Sequence, residues 1–170
     1  DESVAFGKEV VGSKWLDEWK LLQDGTWAVR SRLVATQVAY EKRDDAFAAT
    51  PPLKGTRILL SLAASKEPKG MRRLGRWDCS VAFFHAQILE ELYCRPPKGL
   101  KKRGRLWRLL KSLYGTRKAA QLFQDLVRDV LVDQGGFIQC RVAPSMYRQN
   151  DWDLEVLVHG DDFLAEAVEE

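Results

Sequence analysis

Long hydrophobic runs are missing from this chain of 170 residues. No stretch of about 18 apolar residues occurs, so no transmembrane helix is expected. Cysteine is scarce as well: Cys79, Cys94 and Cys140 are odd in number and widely spaced. That argues against a disulfide framework and for reduced thiols in an intracellular setting. No Cys-x-x-Cys or His-x-x-x-His pair joins them or His85 and His159, so packing explains these residues better than a zinc site. Internal repeats and low-complexity tracts are absent, and the one linker-like stretch is 65–75, rich in Lys, Gly and Arg. The first residues lack a starting Met and the basic-then-apolar pattern of a signal peptide, so the chain reads as a fragment or a cut domain.

What is present begins with a core. An apolar content of 45% suits one domain, or two subdomains sharing an interface. Two strand-like runs, 14–22 and 27–38, flank Asp24-Gly25, a hairpin signal. Residues 57–65 read as a short apolar helix opened by Thr56 and closed before Pro68. Between 116 and 134, Ala119, Leu122, Phe123, Leu126, Val127, Val130 and Leu131 fall on one face of a helix ended by Gly135-Gly136. This helix is expected to back the main sheet. The net charge is only +3, yet 98–118 holds Lys98, Lys101, Lys102, Arg103, Arg105, Arg108, Lys111, Arg117 and Lys118 with no acid among them. With Trp107 and Tyr114 between the charges, the run suits phosphate backbones and bases, and a solvated basic loop is the plainer alternative.

Three acids stand where charges are costly. Asp161 and Asp162 follow Gly160 between the apolar stretches 154–158 and 163–165, as on the tip of a hairpin whose first strand is half-buried. Asp78 lies in Arg76-Trp-Asp-Cys-Ser-Val-Ala-Phe-Phe-His85, where a strand puts it on the face opposite Trp77. Adjacent carboxylates repel and perturb each other unless a cation joins them, and hard oxygen donors favour Mg²⁺. A solvated Gly-Asp-Asp turn is the alternative for the tripeptide alone. One strand aspartate with a distant aspartate pair suits the clamping of two metal ions for in-line phosphoryl transfer.

The residues also carry a family resemblance. Asp78-Cys-Ser-Val-Ala-Phe-Phe-His85, Leu89-Glu-Glu-Leu-Tyr93, Arg95-Pro-Pro-Lys-Gly99, Leu109-Leu-Lys-Ser-Leu-Tyr-Gly115, Pro144-Ser-Met-Tyr147 and His159-Gly-Asp-Asp162 occur in that order. Upstream stand Arg30-Ser-Arg-Leu-Val-Ala35 and Thr56-Arg-Ile-Leu-Leu-Ser-Leu-Ala-Ala64. Together, over roughly residues 13 to 168, they resemble the reverse transcriptase domain of copia-type retrotransposons, and an ordered set is far more specific than any one motif. Three segments depart from the family pattern: His159-Gly160 before the aspartates, residues 40–49, and Thr116-Arg-Lys-Ala-Ala120 after Gly115.

The resemblance implies an α+β right-hand polymerase fragment: an antiparallel palm sheet backed by helices, fingers, and a thumb outside this chain. Residues 1–70 would be mainly fingers, 71–89 and 116–170 mainly palm, and 90–115 a fingers-like basic segment. It implies RNA-directed DNA synthesis on an RNA or DNA template with primer, from deoxynucleoside triphosphates, with two Mg²⁺ ions or Mn²⁺ in their place. Asp78 and Asp161 would be the metal ligands, with Asp162 ligating less directly or aligning the primer end. Phe83 would exclude a 2′-hydroxyl, its alternative being a core aromatic. Arg30 and Arg32 would meet the triphosphate, and Gly115 and Lys118 would line the nucleotide pocket. Lys101, Lys102, Arg103, Arg105, Arg108 and Lys111 would hold nucleic acid. Cytoplasm, virus-like particle or nucleus follows by family habit, with no membrane association and no statement on oligomeric state. Two other classes stay open: a decayed element that binds nucleic acid without polymerising, and an interaction domain whose acids are merely solvated.

Overall fold

The structure, a computed structural model, describes residues 2–37, 48–67, 70–100 and 102–168. Lys101 and most of the divergent segment 40–49 lie outside the described residues. Along the described chain the elements are β1 (Glu9–Leu21), β2 (Trp27–Thr36), α1 (Leu53–Ala64), β3 (Lys66–Glu67), β4 (Gly70–Asp78), a 3-10 turn (Ala82–His85), β5 (Leu92–Cys94), β6 (Trp107–Arg108), α2 (Ala119–Arg128), a π turn (Asp129–Gln134), β7 (Ile138–Gln139), β8 (Met146–Gln149), β9 (Leu154–His159) and β10 (Asp162–Val168). The architecture is α+β with two sheets. The chain divides into two compact units, one of residues 1–46 and 83–122, the other of 47–82 and 123–170.

In the first unit β1 and β2 form a long antiparallel ribbon, in register from Gly12 opposite Thr36 to Leu21 opposite Trp27. Asp24 closes its turn as expected, accepting hydrogen bonds from the Thr26 backbone N–H at 2.9 Å and hydroxyl at 2.7 Å. The start of β1 pairs in parallel with β5, and β5 pairs with β6, giving the order β2-β1-β5-β6. Val11, Ala35, Leu92, Cys94 and Leu113 bury together beneath this sheet, so Cys94 is a core residue. All three cysteines are free thiols.

The second unit is a six-stranded sheet, order β3-β4-β10-β9-β8-β7, with every pairing antiparallel. Central β9 buries Glu155, Val156, Leu157 and Val158 in succession, so it is covered on both faces rather than half-buried as its partial alternation suggested. Helix α1 packs across β4, β9 and β10, while Asp125 and Arg128 of α2 lie close enough to Tyr147 on β8 for their charges to act on its hydroxyl. Gly55 of α1 allows the close approach: an added Cβ would stand 2.9 Å from Met146 Sδ and 3.1 Å from Leu157 Cδ1. The helix begins at Leu53, a turn before Thr56, which therefore does not cap it.

Three further expectations are corrected. Residues 70–75, linker-like by composition, lie in β4, because Arg72 finds buried acidic partners on β9 and β10. The strand through Asp78 also stops there: Val81 takes a left-handed φ of 51° and turns the chain into the 3-10 turn. A β-branched residue in that region stores about 1–3 kcal/mol of strain. The apolar stripe of the 116–134 segment holds for Ala119, Phe123 and Val127, all buried. It fails at Val130, which is exposed, because the widened π turn slips the register of the helical face.

Candidate active site

The three acids converge in the second unit. β9 ends at His159, Gly160 adopts φ 61°, and β10 starts at Asp162, which pairs back to His159. Glycine supplies the positive φ that so short a reversal requires. On its other side β10 pairs with β4, placing Asp162 directly opposite Asp78. The ladder continues one step further, the Cys79 N–H donating to the Asp161 carbonyl at 2.7 Å. Residues 78 and 161–162, more than eighty positions apart in sequence, thus share the end of one β-ladder.

Directly opposed residues face the same side of a sheet with Cβ atoms about 4.5–5.5 Å apart, and like charges so placed repel. Part of that repulsion is balanced by Arg76, which shares the face of Asp78 by strand alternation. Its Nη2 donates to Asp162 Oδ1 at 2.8 Å and its Nε to the same oxygen at 3.2 Å. The hydrogen bond and charge of Asp162, and then the charge of Asp78, hold the guanidinium pKa above its ordinary value. The Cys79 thiol is pushed up by burial first and then by the charges of Asp78 and Asp161 on either side. Arg76 was not singled out in the sequence; its spacing of two from Asp78 was the available signal. His159, opposite Asp162, is an exposed neighbour on the same face.

The donors are carboxylate oxygens, the type Mg²⁺ selects. Among the described residues no three His, Cys, Asp or Glu side chains are gathered closely enough to cage an ion. Mg²⁺ at phosphoryl-transfer sites is held by one or two carboxylates, with water and substrate phosphates completing its shell. Asp78 and the hairpin pair fit that kind of site.

The remaining expected residues lie in the first unit. Arg30 is exposed and sits opposite Glu18, while Arg32 forms an ion pair with that same Glu18 at 2.7 Å. Phe83, half-buried in the 3-10 turn, stacks at a tilt on Tyr114, ring centroids 4.6 Å apart. Gly115 has a plain structural reason: at φ 85° an added Cβ would stand 2.0 Å from the Ala35 carbonyl oxygen. There the Ala35 N–H donates to the Tyr114 carbonyl at 2.7 Å. The basic run acquires acids that its own sequence lacks. Lys118 pairs with Glu90 at 3.1 Å, Arg108 lies 3.7 Å from Glu91, and Lys111 donates to the His85 carbonyl at 3.1 Å. Lys102, Arg103 and Arg105 instead line, with Arg95, Pro96, Gly104 and Leu106, an open cleft of about 300 Å³.

The family model described as reverse transcriptase (RNA-dependent DNA polymerase) matches residues 3–169. The chain belongs to the reverse transcriptase family. The copia-type resemblance is thereby borne out. Among curated proteins, the Ty1-DR4 and TyH3 Gag-Pol polyproteins of Saccharomyces cerevisiae are each 39% identical to it over 64 residues. Each match covers 38% of this chain and 4% of the polyprotein. The truncated Ty1-A Gag-Pol polyprotein of the same yeast aligns with the same identity, over 5% of its length. No solved structure matches. Among the described residues no helix is long and apolar enough to cross a membrane.

Proposed function

We propose that the chain carries the polymerising site of a retrotransposon reverse transcriptase. The pairing of Asp78 with Asp162 beside the Gly160-Asp161 turn carries this reading. It brings the separated acids together at an accessible strand end. The palm role falls to the unit that holds them, and the fingers role to the unit built on the β1–β2 ribbon.

In this reading Asp78 and Asp161 hold two divalent ions, Mg²⁺ or Mn²⁺, and Asp162 ligates less directly or aligns the primer end. The bound ions lower the charge barrier between primer hydroxyl and triphosphate, the principal requirement of phosphoryl transfer. The new bond joins the primer 3′-oxygen to the α-phosphorus of a deoxynucleoside triphosphate, and pyrophosphate leaves. Arg30 and Arg32 meet the triphosphate, Arg32 exchanging Glu18 for phosphate, and planar guanidinium donors suit that ligand. Phe83 selects against a 2′-hydroxyl, with Gly115 and Lys118 lining the nucleotide pocket. The template-primer backbone is held by the cleft cations Lys102, Arg103 and Arg105, together with Arg108 and Lys111 and with Lys101, which lies outside the described residues.

Single-nucleotide primer extension on an RNA template, with Mg²⁺ or Mn²⁺, tests this reading. Extension by the wild-type chain that disappears in Asp161→Asn is the expected result. Salt-sensitive primer-template binding without extension, in this chain and in a longer one, would favour the decayed element. Replacing Lys102, Arg103 and Arg105 with Ala should lower the slope of log affinity against log salt by about one for each lost phosphate contact. An unchanged slope would remove the cleft as the backbone contact.

A further inference from the structure

Arg76 lies two residues before Asp78 on β4, and its register partner on β10 is Leu164. The guanidinium reaches past Leu164 to Asp162, two residues nearer the turn. Arg72 makes the same reach: its register partner is Val168, and it grips Glu166. The diagonal is therefore a feature of the β4–β10 pairing, repeated twice, and not an accident of one surface rotamer. At Asp162 it delivers a cation to the acid cluster.

We propose that Arg76 is the built-in counter-cation of the acid site, holding Asp162 when no metal is bound and giving way when a divalent ion enters, so that it sets how tightly that ion binds. The role rests on the acids being metal ligands. Both partners are open to water, the Arg76 side chain 73% and the Asp162 side chain 41% exposed. Such a pair is weak and readily exchanged. A guanidinium spreads one charge over a plane, whereas Mg²⁺ concentrates two on a small sphere bound by oxygen, so the ion displaces the arginine rather than sharing the carboxylate with it. The resting acids are kept from full mutual repulsion at the cost of some metal affinity. Arg76 is thus a positioning residue, acting through Asp162.

Mn²⁺ binding to the 170-residue chain, followed by loss of the free-ion electron paramagnetic resonance signal without nucleotide or nucleic acid, reads this directly. Arg76→Gln should fold normally, its side chain being mostly in solvent, and should bind Mn²⁺ about two- to fivefold tighter, the range a surface ion pair commands. Arg76→Lys, which keeps the charge, should stay near wild type. In an Asp162→Asn background Arg76→Gln should lose most of its effect, only the charge of Asp78 remaining for the arginine to offset. Unchanged or weaker binding in Arg76→Gln would overturn the proposal, as would a gain that persists undiminished in Asp162→Asn. Binding lost in Asp78→Asn but unmoved in Arg76→Gln would discard only the arginine's role. Wild type that binds no Mn²⁺, or binds it regardless of Asp78→Asn and Asp161→Asn, would discard the metal site and the arginine's role together.

Discussion

Two arginines on β4 grip two acids on β10 across the same diagonal, and burial separates what they do. At one end Arg72 donates to Glu166 at 2.9 Å, to Asp153 at 2.9 Å and to Glu155 at 3.1 Å. Its side chain is 3% exposed, and that of Glu166 is fully buried. Arg148 closes the network on Asp153 and Glu155, each at 3.0 Å. At the other end Arg76 has Asp162 in open solvent. The buried cluster ties four strands to one another. The exposed pair, weak because water screens it, is the one that our proposal has yielding to an entering ion. Identical chemistry on one sheet face thus gives a fixed frame at one end and, on that proposal, an exchangeable site at the other.

The largest effect should come from breaking the frame. Arg72→Ala takes the guanidinium from buried Glu166 and leaves Glu155 and Asp153 with Arg148 alone, and removing one partner of a buried pair costs about 3–5 kcal/mol. Urea unfolding should show that loss, while Arg76→Ala leaves the midpoint near wild type. Equal losses at both positions would mean that position on the sheet, and not burial, governs these pairs.

A smaller effect concerns pH. Glu155 sits opposite Glu166 in register, and burial, then the Glu166 hydrogen bond and charge, push its pKa up to about 7 against the opposing pull of Arg148 and Arg72. A carboxyl whose folded pKa exceeds its unfolded value binds more protons in the native state, so its contribution is full below the usual carboxylate range. That contribution is lost as pH rises toward 7. Stability should therefore fall over that window, and Glu155→Gln should flatten the fall. An unaltered profile in Glu155→Gln would place the titration elsewhere in the network.

The site was more legible than its frame. The Asp24 turn, the Gly160 reversal and the three acids each stand beside a local signal: a turn residue, or a charge in an apolar run. The buried network has no such signal, because Arg72, Asp153, Glu155 and Glu166 become partners only through the β4–β10–β9 register, and register is a long-range property. For the same reason 70–75 passed for a linker: Gly and Arg lower local strand propensity, and buried ion pairs override it. Arg76 stood between these cases. Alternation puts it on the face of Asp78, but its acid lies 86 positions away.

The smallest effect is also the most diagnostic of what the exposed end is for. Asp78 is exposed, lies opposite another acid and, among the described residues, joins no buried network. Asp78→Asn removes one of two opposed like charges while keeping the shape, so stability should stay within about 0.5 kcal/mol of wild type. The sign should favour the variant at low salt, where repulsion is least screened, and the gain should shrink as salt rises. Such a gain would mark Asp78 as a group that trades stability for binding, as functional sites commonly do. Thermal melts of wild type and Asp78→Asn across a salt series, each with and without Mn²⁺, measure this. If the ion stabilises wild type but not the variant, Asp78 belongs to the exchangeable end; if Asp78→Asn instead costs as much as Arg72→Ala, the acid is part of the frame and the contrast between the two ends collapses.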